Sequence, residues 1–340
     1  MTSSTTQLDR RVFRATCWTL VVVALIGAFG PMLAPYDPHE QLDSSSARLR
    51  PPGTYLYAVE LANGKWEMAD IVERTNTGLR YERLGLSREV PEDGVLNLDG
   101  TGVRDARFYF LGSDEFGRDL FSRWLHGARV SLLIGLLSVT LAMTLGILVG
   151  ATAALAGGWV DTVLMRMADG LLAFPWIFLV ITLSAVYPGG PMTLVILLGC
   201  TAWMNVARLT RGELLSLAKR DFVLALEAMG ATPWRIFWHH LLPNALPPLL
   251  VAATLRIGGL ILFEASLSFL GLGVHPPHAS WGNMIADGRE HLLSAWWVTG
   301  FPALGLVVTV LALNLLSDGL RDALDPRHEQ HGRRPGESIG

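Results

Sequence analysis

The sequence predicts an all-α polytopic membrane protein: six transmembrane helices, both termini cytoplasmic, and a small β-containing extracytoplasmic insertion between helices 1 and 2. Three observations predict it. Of the 340 residues, 51% are hydrophobic and 17% charged, where a soluble domain carries about 25% charged residues. The apolar residues gather in six runs, each a candidate for the roughly 20-residue helix that crosses a bilayer. Arginine and lysine concentrate in the short segments on one side of those runs, which sets their orientation. The net charge of −3 points to no nucleic-acid partner.

The first run is Thr16–Ala34 ("TCWTLVVVALIGAFGPMLA"). A secretory signal peptide is the alternative, but this run exceeds the usual 7–15 apolar residues of such peptides and five further runs follow it. The second is Ser131–Ala156 and the third Val163–Val186. The fourth, Met192–Val206, is shorter and weaker; the fifth is Ala245–Leu270 and the sixth Trp296–Leu316. Glycine and proline inside these runs are compatible with membrane helices.

Arg10, Arg11 and Arg14 precede the first run; Arg208, Arg211, Lys219, Arg220 and Arg235 lie between the fourth and fifth; Arg321, Arg327, Arg333 and Arg334 follow the sixth. The link Tyr187–Pro191 has no basic residue and Val274–Ala295 only Arg289. Six spans place both termini and the loop 207–243 in the cytoplasm, so parity and charge agree. The organisation is then 1–35 (cytoplasmic N-terminus and first helix), 36–128 (extracytoplasmic loop, insertion and entry helix), 129–318 (the remaining spans) and 319–340 (cytoplasmic tail). Long loops translocate regardless of charge, so the basic residues of 36–128 raise no conflict.

The stretches "TYLYAVEL", "KWEMADIV", "LRYERLGL" and "RFYFLG" carry strand-forming residues between turn signals at Ala62-Asn63-Gly64 and Glu92-Asp93-Gly94. They read as a small β insertion, with a poorly ordered loop as the alternative. Before the second span, Asp114, Arg118 and Asp119 read as residues that order an amphipathic entry helix rather than bind substrate. In that span Gly146, Gly150 and Ala154 recur every four residues, a spacing that lets helix backbones approach closely.

The loop 207–243 is punctuated. Asp221 reads as the N-cap of a helix Phe222–Met229, and Gly230 as the left-handed residue after its end. Thr232 caps a second helix with Pro233 in its first position, carrying "WRIFWHHLL" to a stop at Pro243. A helix of about eight residues is unstable alone in water, and Phe222, Val223, Leu224, Leu226 and Met229 make this one apolar. It must pack on the bilayer interface, on the spans, or on a cytoplasmic partner.

Arg256 falls near the middle of the fifth span, where an arginine costs about 2.5–3.5 kcal/mol on insertion scales. It reads as a residue of a translocation pathway or as half of a structural ion pair. Glu264 is the nearest acid on that span, but eight residues rise about 12 Å; Asp169 or a companion subunit are open alternatives. Arg166 and Asp169 are three apart on the third span and can pair along one face. Cys17 and Cys200 lie in apolar runs and read as small buried hydrophobes. His239 with His240, and His275 with His278, lack the further ligands a metal site needs, so no metal is expected. The chain has no G-x-x-x-x-G-K-[ST] phosphate loop and no H-E-x-x-H signature. A membrane-embedded enzyme or a free-standing channel is the rival class; neither needs the punctuated loop 207–243.

"ALEAMGATPWRIFWHHLLPNALPPLL" resembles the EAA loop of binding-protein-dependent ABC importer permeases (type-1 family), whose pattern is Glu-Ala-Ala, three residues, Gly, then a distal His-x-Leu-Pro. Ala225, Gly230, His240, Leu242 and Pro243 match. Leu224 stands where that family has glutamate and Leu226 where it has alanine; Glu227 lies one position past the motif, turned by about 100°. "LGSDEFGRDLFSRWLHGARVSLLIG", "GGWVDTVLMRMADGLLAFP", "EASLSFLGLGVHPPHASWGNMI" and "NLLSDGLRDALDPR" are similar to the peptide/nickel subfamily, and within it to the dipeptide/oligopeptide C-subunit type. The resemblance covers residues 1–40 and 108–327.

It implies that 129–318 is a permease domain and that Leu224, Ala225, Leu226, Glu227, Gly230, Ala231, His240 and Pro243 form a coupling loop docking on ATP-hydrolysing subunits. It implies a heterodimer with a second permease, two ATP-binding subunits that hold the ATP and magnesium, and an extracytoplasmic substrate-binding protein. No cofactor is expected in this chain. Short peptides are the implied substrate, with nickel chelates, opines or oligosaccharides as alternatives, and Arg256 and Glu264 are the candidate pathway residues. The insertion at 50–107 is longer than expected for that type, and the resemblance says nothing about its role; its position on the side where a binding protein would dock gives the expectation that it contacts that protein or gates the outer mouth.

Overall fold

The computed structural model describes residues 2–41, 43–61, 66–75, 78–91, 103–187 and 189–324. The expected turns at 62–64 and 92–94 and the tail residues Arg327, Arg333 and Arg334 lie outside them. Among the described residues the chain runs through α1 (Thr2–Leu33), six strands, α2 (Leu120–Ala156), α3 (Gly158–Ala173), α4 (Trp176–Val186), α5 (Pro191–Ala218), α6 (Asp221–Ala228), α7 (Pro233–Ile236), α8 (Leu242–Phe269), α9 (Trp281–Gly288) and α10 (Trp296–Leu324).

Among the described residues, five helical segments are long and apolar enough to cross a membrane: Val12–Leu33, Leu120–Ala156, Pro191–Ala218, Pro233–Phe269 and Trp296–Ala323. The third expected span, Val163–Val186, is not one helix. It is α3 and α4, bent by 78° at their junction, so the candidates number five, or six if the bent pair counts as one. Phe174 is extended (φ −81°, ψ 129°) because a residue before proline is pushed out of the helical region, and Pro175 follows it. The fourth span also departs from expectation. Its apolar run ends at Val206, but α5 continues to Ala218, so the first part of the expected loop 207–243 is helix. Hydropathy marks the end of an apolar environment; "ARLTRGELLSLA" keeps helix-forming residues beyond it.

Two compact units emerge. One comprises Met1–Val23, Leu132–Glu264 and Val307–Gly340. Within it, α2 packs on α5 through the small-residue face expected from the sequence. A Cβ on Gly150 would run into the Ala207 carbonyl oxygen and lie 2.8 Å from Thr210 Cβ; one on Gly146 would lie 2.8 Å from the Trp203 carbonyl oxygen. The α3–α5 contact is pinned by ion pairs: Arg211 grips both oxygens of Asp161 at 2.5 and 2.6 Å, and Arg208 lies 3.5 Å from Asp169. The expected Arg166–Asp169 pair along one helix is therefore replaced by a pair between helices, since Arg208 on α5 faces the same carboxylate. Cys200 is exposed on α5 and Cys17 partly so, so neither is the buried hydrophobe expected; an apolar run does not distinguish a core-facing position from an outward one.

The other unit comprises Ala24–Ser131 and Ala265–Leu306. The insertion is ordered as strands, as one of the two sequence readings held. β1 (Thr54–Glu60) sits between β2 (Trp66–Ala69) and β6 (Val103–Tyr109); β4 (Gly78–Arg83) sits between β3 (Ile71–Thr75) and β5 (Leu86–Pro91). All pairs are antiparallel, with a register shift in β1 between Leu56 and Ala58. Leu56, Ala58, Met68, Tyr109 and Ala47 form one core and Val59, Ala69, Leu79 and Tyr81 another. Burial raises the Tyr109 hydroxyl to about 12. Asp43 ties the preceding loop to the sheets, accepting from Ser45, Ser46, the Met68 N–H and Arg83. Burial works against its charged form, but hydrogen bonds from Ser45, Met68 and Ser46 outweigh it and hold the carboxyl well below its ordinary value.

Asp119 accepts from the Ser122 N–H at 2.7 Å and so caps α2. Asp114 takes Arg118 at 2.6 Å and Arg123 at 3.3 Å. These residues brace the start of α2, but the expected entry helix is not a separate element: α2 runs unbroken from Leu120 through the second span to Ala156, because no proline interrupts "LFSRWLHGARVSLL". Burial raises the carboxyls of Asp119 and Asp287.

Candidate functional site

The punctuated loop is built from turn chemistry. α6 starts one residue earlier than expected: Arg220 holds the extended N-cap conformation (φ −79°, ψ 147°) and Asp221 is the first helical residue. There its carboxylate still complements the positive helix start. At the other end the Ala231 N–H donates to the Leu226 carbonyl at 3.0 Å and the Gly230 N–H to the Glu227 carbonyl at 2.9 Å. That pair of bonds is a Schellman motif, and Gly230 takes its left-handed position at φ +77°. Thr232 then caps α7, accepting from the Arg235 N–H at 3.4 Å, with Pro233 in the first turn.

The turn is anchored from below. Val223, Ile236, Phe237 and Leu241 are buried with Ala151 of α2, Leu214 and Leu217 of α5, and Ala245 and Leu249 of α8. Leu226 and Ala231, the hydrophobic pair that accompanies a Schellman turn, pack on the same cluster. What faces out is apolar as well: Leu224 is 53% exposed, Met229 74%, Trp234 67% and Trp238 48%. Ala225 and Glu227 are also exposed. The loop is thus a fixed platform whose exposed face carries Leu224, Met229, Trp234 and Trp238 beside the charged Glu227 and Arg235. Trp234 and Trp238 were not singled out from the sequence, although their spacing of four already put them on one helical face.

Pro243 does not stop the helix. Phe237–Leu241 forms a π turn in which the Leu242 N–H reaches the Phe237 carbonyl, and α8 continues through Pro243, Pro247 and Pro248 to Phe269. Proline breaks a helix by lacking an N–H and crowding the preceding turn; a π turn is where a helix absorbs such a defect. Asn244 Nδ2 donates to the His240 carbonyl at 2.6 Å, satisfying that carbonyl from the side. His240 is half-buried and Pro243 exposed.

Further along α8, Arg256 lines a cavity of about 490 Å³ with Leu172, Trp176, Thr201, Asn205 and Leu260 among its neighbours. Its guanidinium donates to the Ala202 carbonyl at 3.4 Å. Trp176 stacks on Phe263 with ring centroids 4.2 Å apart. Glu264 is fully buried and is absent from the cavity lining, so the two candidate pathway residues are not brought to one site. Asn205 and Trp176 were missed from the sequence; the helix break at "AFPW" was the signal for the latter. No cluster of three or more His, Cys, Asp or Glu side chains suited to a metal occurs among the described residues.

The family described as "binding-protein-dependent transport system inner membrane component" matches residues 142–330. The di/tripeptide transport system permease protein DppC of Pseudomonas aeruginosa is 36% identical over 308 residues, 91% of this chain and 86% of that protein. An alignment of 308 of the 340 residues takes in most of the 36–128 segment. The oligopeptide transport system permease protein OppC of Bacillus subtilis is 41% identical over 233 residues, 68% of this chain and 75% of that protein. Among solved structures, the inward-facing MetNI methionine ABC transporter is similar at a TM-score of 0.49 and 22% identity, over 60% of this chain and 96% of that one. The chain belongs to the family of binding-protein-dependent transport system inner membrane components: it is a multi-pass transporter permease of the bacterial inner membrane, not an enzyme.

Proposed function

We propose that this chain is one of two permease subunits of an ABC importer for short peptides. The relatives named above are described as di/tripeptide and oligopeptide permeases, which supports the substrate class. In this reading both termini and the loop ending at Pro243 are cytoplasmic, and the broken α3–α4 pair is the third of six spans. Two cytoplasmic subunits bind ATP and magnesium and receive the apolar platform of Leu224, Ala225, Met229 and Trp234 in a groove. Glu227, Gly230, Ala231 and His240 shape that platform, and Leu226 anchors it. An extracytoplasmic binding protein delivers the peptide, and the β insertion lies on its side of the membrane, in contact with it or gating the outer mouth. Arg256 faces the pathway.

The single observation that carries this reading is the platform itself. A turn fixed at both ends transmits displacement without slack, and its exposed face lacks a partner within the described residues of the chain. Alternating access needs such a rigid element. The test is a cysteine at Met229, cross-linked in native membranes and analysed by mass spectrometry. Recovery of an ATP-binding subunit and a second permease is the expected outcome. A cross-link to lipid alone, with no ATPase captured, would sink the coupling assignment.

A further inference from the structure

We propose that Arg256 is the carboxylate-recognising residue of the pathway, holding the free C-terminal carboxylate of a peptide in transit. This rests on the peptide-importer reading above. Arg256 lies fourteen residues from Leu242 and thirteen from Phe269, about 20 Å of helix from either end. Asn205 lies on α5 one residue before its apolar run ends at Val206. Arg256 therefore sits near mid-height of its span, and both residues line the same cavity. Secondary transporters place their substrate sites at that depth, at interrupted helices. Here the interruption is present, since Trp176, the first residue of α4 after the 78° bend, forms part of the wall.

The chemistry of the lining selects an anion. The lining residues include no carboxylate, so nothing in the wall neutralises the guanidinium. Its hydrogen bond to the Ala202 carbonyl uses one donor of the five a guanidinium carries. A planar fork of N–H groups matches a carboxylate through two parallel bonds. Leu172, Trp176, Leu255 and Leu260 supply apolar wall that accepts peptide side chains without selecting among them. The volume of about 490 Å³ falls within the range of small-molecule sites, about 300–1,000 Å³. An intramembrane arginine is expensive and marks a substrate pathway or an ion pair; the cavity beside it decides for the pathway.

The test uses the complete transporter, purified with its partner subunits and placed in nanodiscs without the binding protein. Binding of dialanine and of dialanine amide is measured for wild type and for Arg256→Met. Wild type is expected to bind the free acid at least about tenfold more tightly than the amide. Arg256→Met is expected to weaken the acid to the level of the amide and leave the amide unchanged. Arg256→Lys, which keeps a point charge without the fork, is expected to retain part of the preference. Equal weakening of acid and amide, or an unchanged preference in Arg256→Met, would overturn the assignment and leave a structural ion pair with a companion subunit. If Arg256→Met does not assemble, Arg256→Gln carries the same comparison. Dialanine uptake by the wild-type transporter with its binding protein is measured separately. Absence of uptake would overturn the peptide reading and this inference with it, whereas uptake without the expected acid preference overturns this inference alone.

Discussion

Gly230 offers a clean perturbation, because geometry separates its two possible roles. A Cβ built there meets nothing within 4 Å, yet φ is +77°. Replacement therefore adds backbone strain and no clash. For an L-residue the left-handed conformation costs roughly 1–2 kcal/mol. Asparagine escapes much of it, because it tolerates that region, and valine suffers most, because branching at Cβ stiffens it further. The expected order of damage is Gly230→Asn, then Gly230→Ala, then Gly230→Val. A loss of 1–2 kcal/mol changes the ratio of formed to unformed turn by about 5–30-fold. If the turn opens, the bonds to Leu226 and Glu227 go with it, at about 1 kcal/mol each. The assay is transport per ATP hydrolysed in the reconstituted complex, with thermal stability measured alongside. Transport per ATP should fall in that order while the complex stays assembled. Damage from asparagine equal to that from valine would refute the reasoning, since side-chain size and not φ would then decide. Wild-type coupling in the valine variant would refute the rigid-turn account altogether.

Three further outcomes follow from the same structure. Gly150→Ala should destabilise the complex by about 1–3 kcal/mol, since its Cβ has no room against α5. Gly212→Ala, with nothing within 4 Å, should be neutral or gain up to about 1 kcal/mol; equal melting temperatures for the two variants would discredit the α2–α5 packing. The Asp43 carboxyl is held below its ordinary value, so its stabilising contribution is fully present above about pH 4 and is lost as pH falls below that toward the folded value. Hydrogen-exchange protection of β1 and β2 should drop over that window in wild type, and Asp43→Asn should start lower and lack that pH component. Leu224→Glu places a charge at a position 53% exposed on the platform. It should raise ATPase coupling if the loop lacks a charged anchor there, and unchanged or poorer coupling would count against that.

The fold was legible where a residue's own chemistry restricts its backbone. Gly230, Thr232 and Pro233 occupy the conformations their types favour, and Gly146 and Gly150 lie where spacing put them. Pairing across helices was not legible. Asp169 has Arg166 one turn away in sequence, yet meets Arg208, because no local rule says which face of α5 approaches α3. The two prolines were misjudged in opposite senses. Pro175 was passed over inside an apolar run, although Phe174 before it carries the constraint. Pro243 was read as a stop, although a wide turn accommodates it. Proline reports that one hydrogen bond is missing; whether the helix ends depends on what its neighbours offer in exchange. Of the candidate site, the loop was readable because it is local in sequence. The cavity draws on α3, α4, α5 and α8, and only its arginine declared itself.

The π turn at Phe237–Leu241 has a further consequence, which concerns rotational phase. Such a turn amounts to about one extra residue in the helix, and each residue advances the azimuth by about 100°. Everything after it, Arg256 included, points where it does because of that offset, while everything before it, including Trp234, keeps its own azimuth. The turn is a fixed phase shifter between two faces of one rod. Lengthening or shortening it by a residue would turn the whole of α8, guanidinium included, by about 100° relative to α7. A single-residue deletion within "FWHHL" would therefore carry Arg256 out of its cavity and, at the same time, turn Ala245 and Leu249 out of the cluster that anchors the platform.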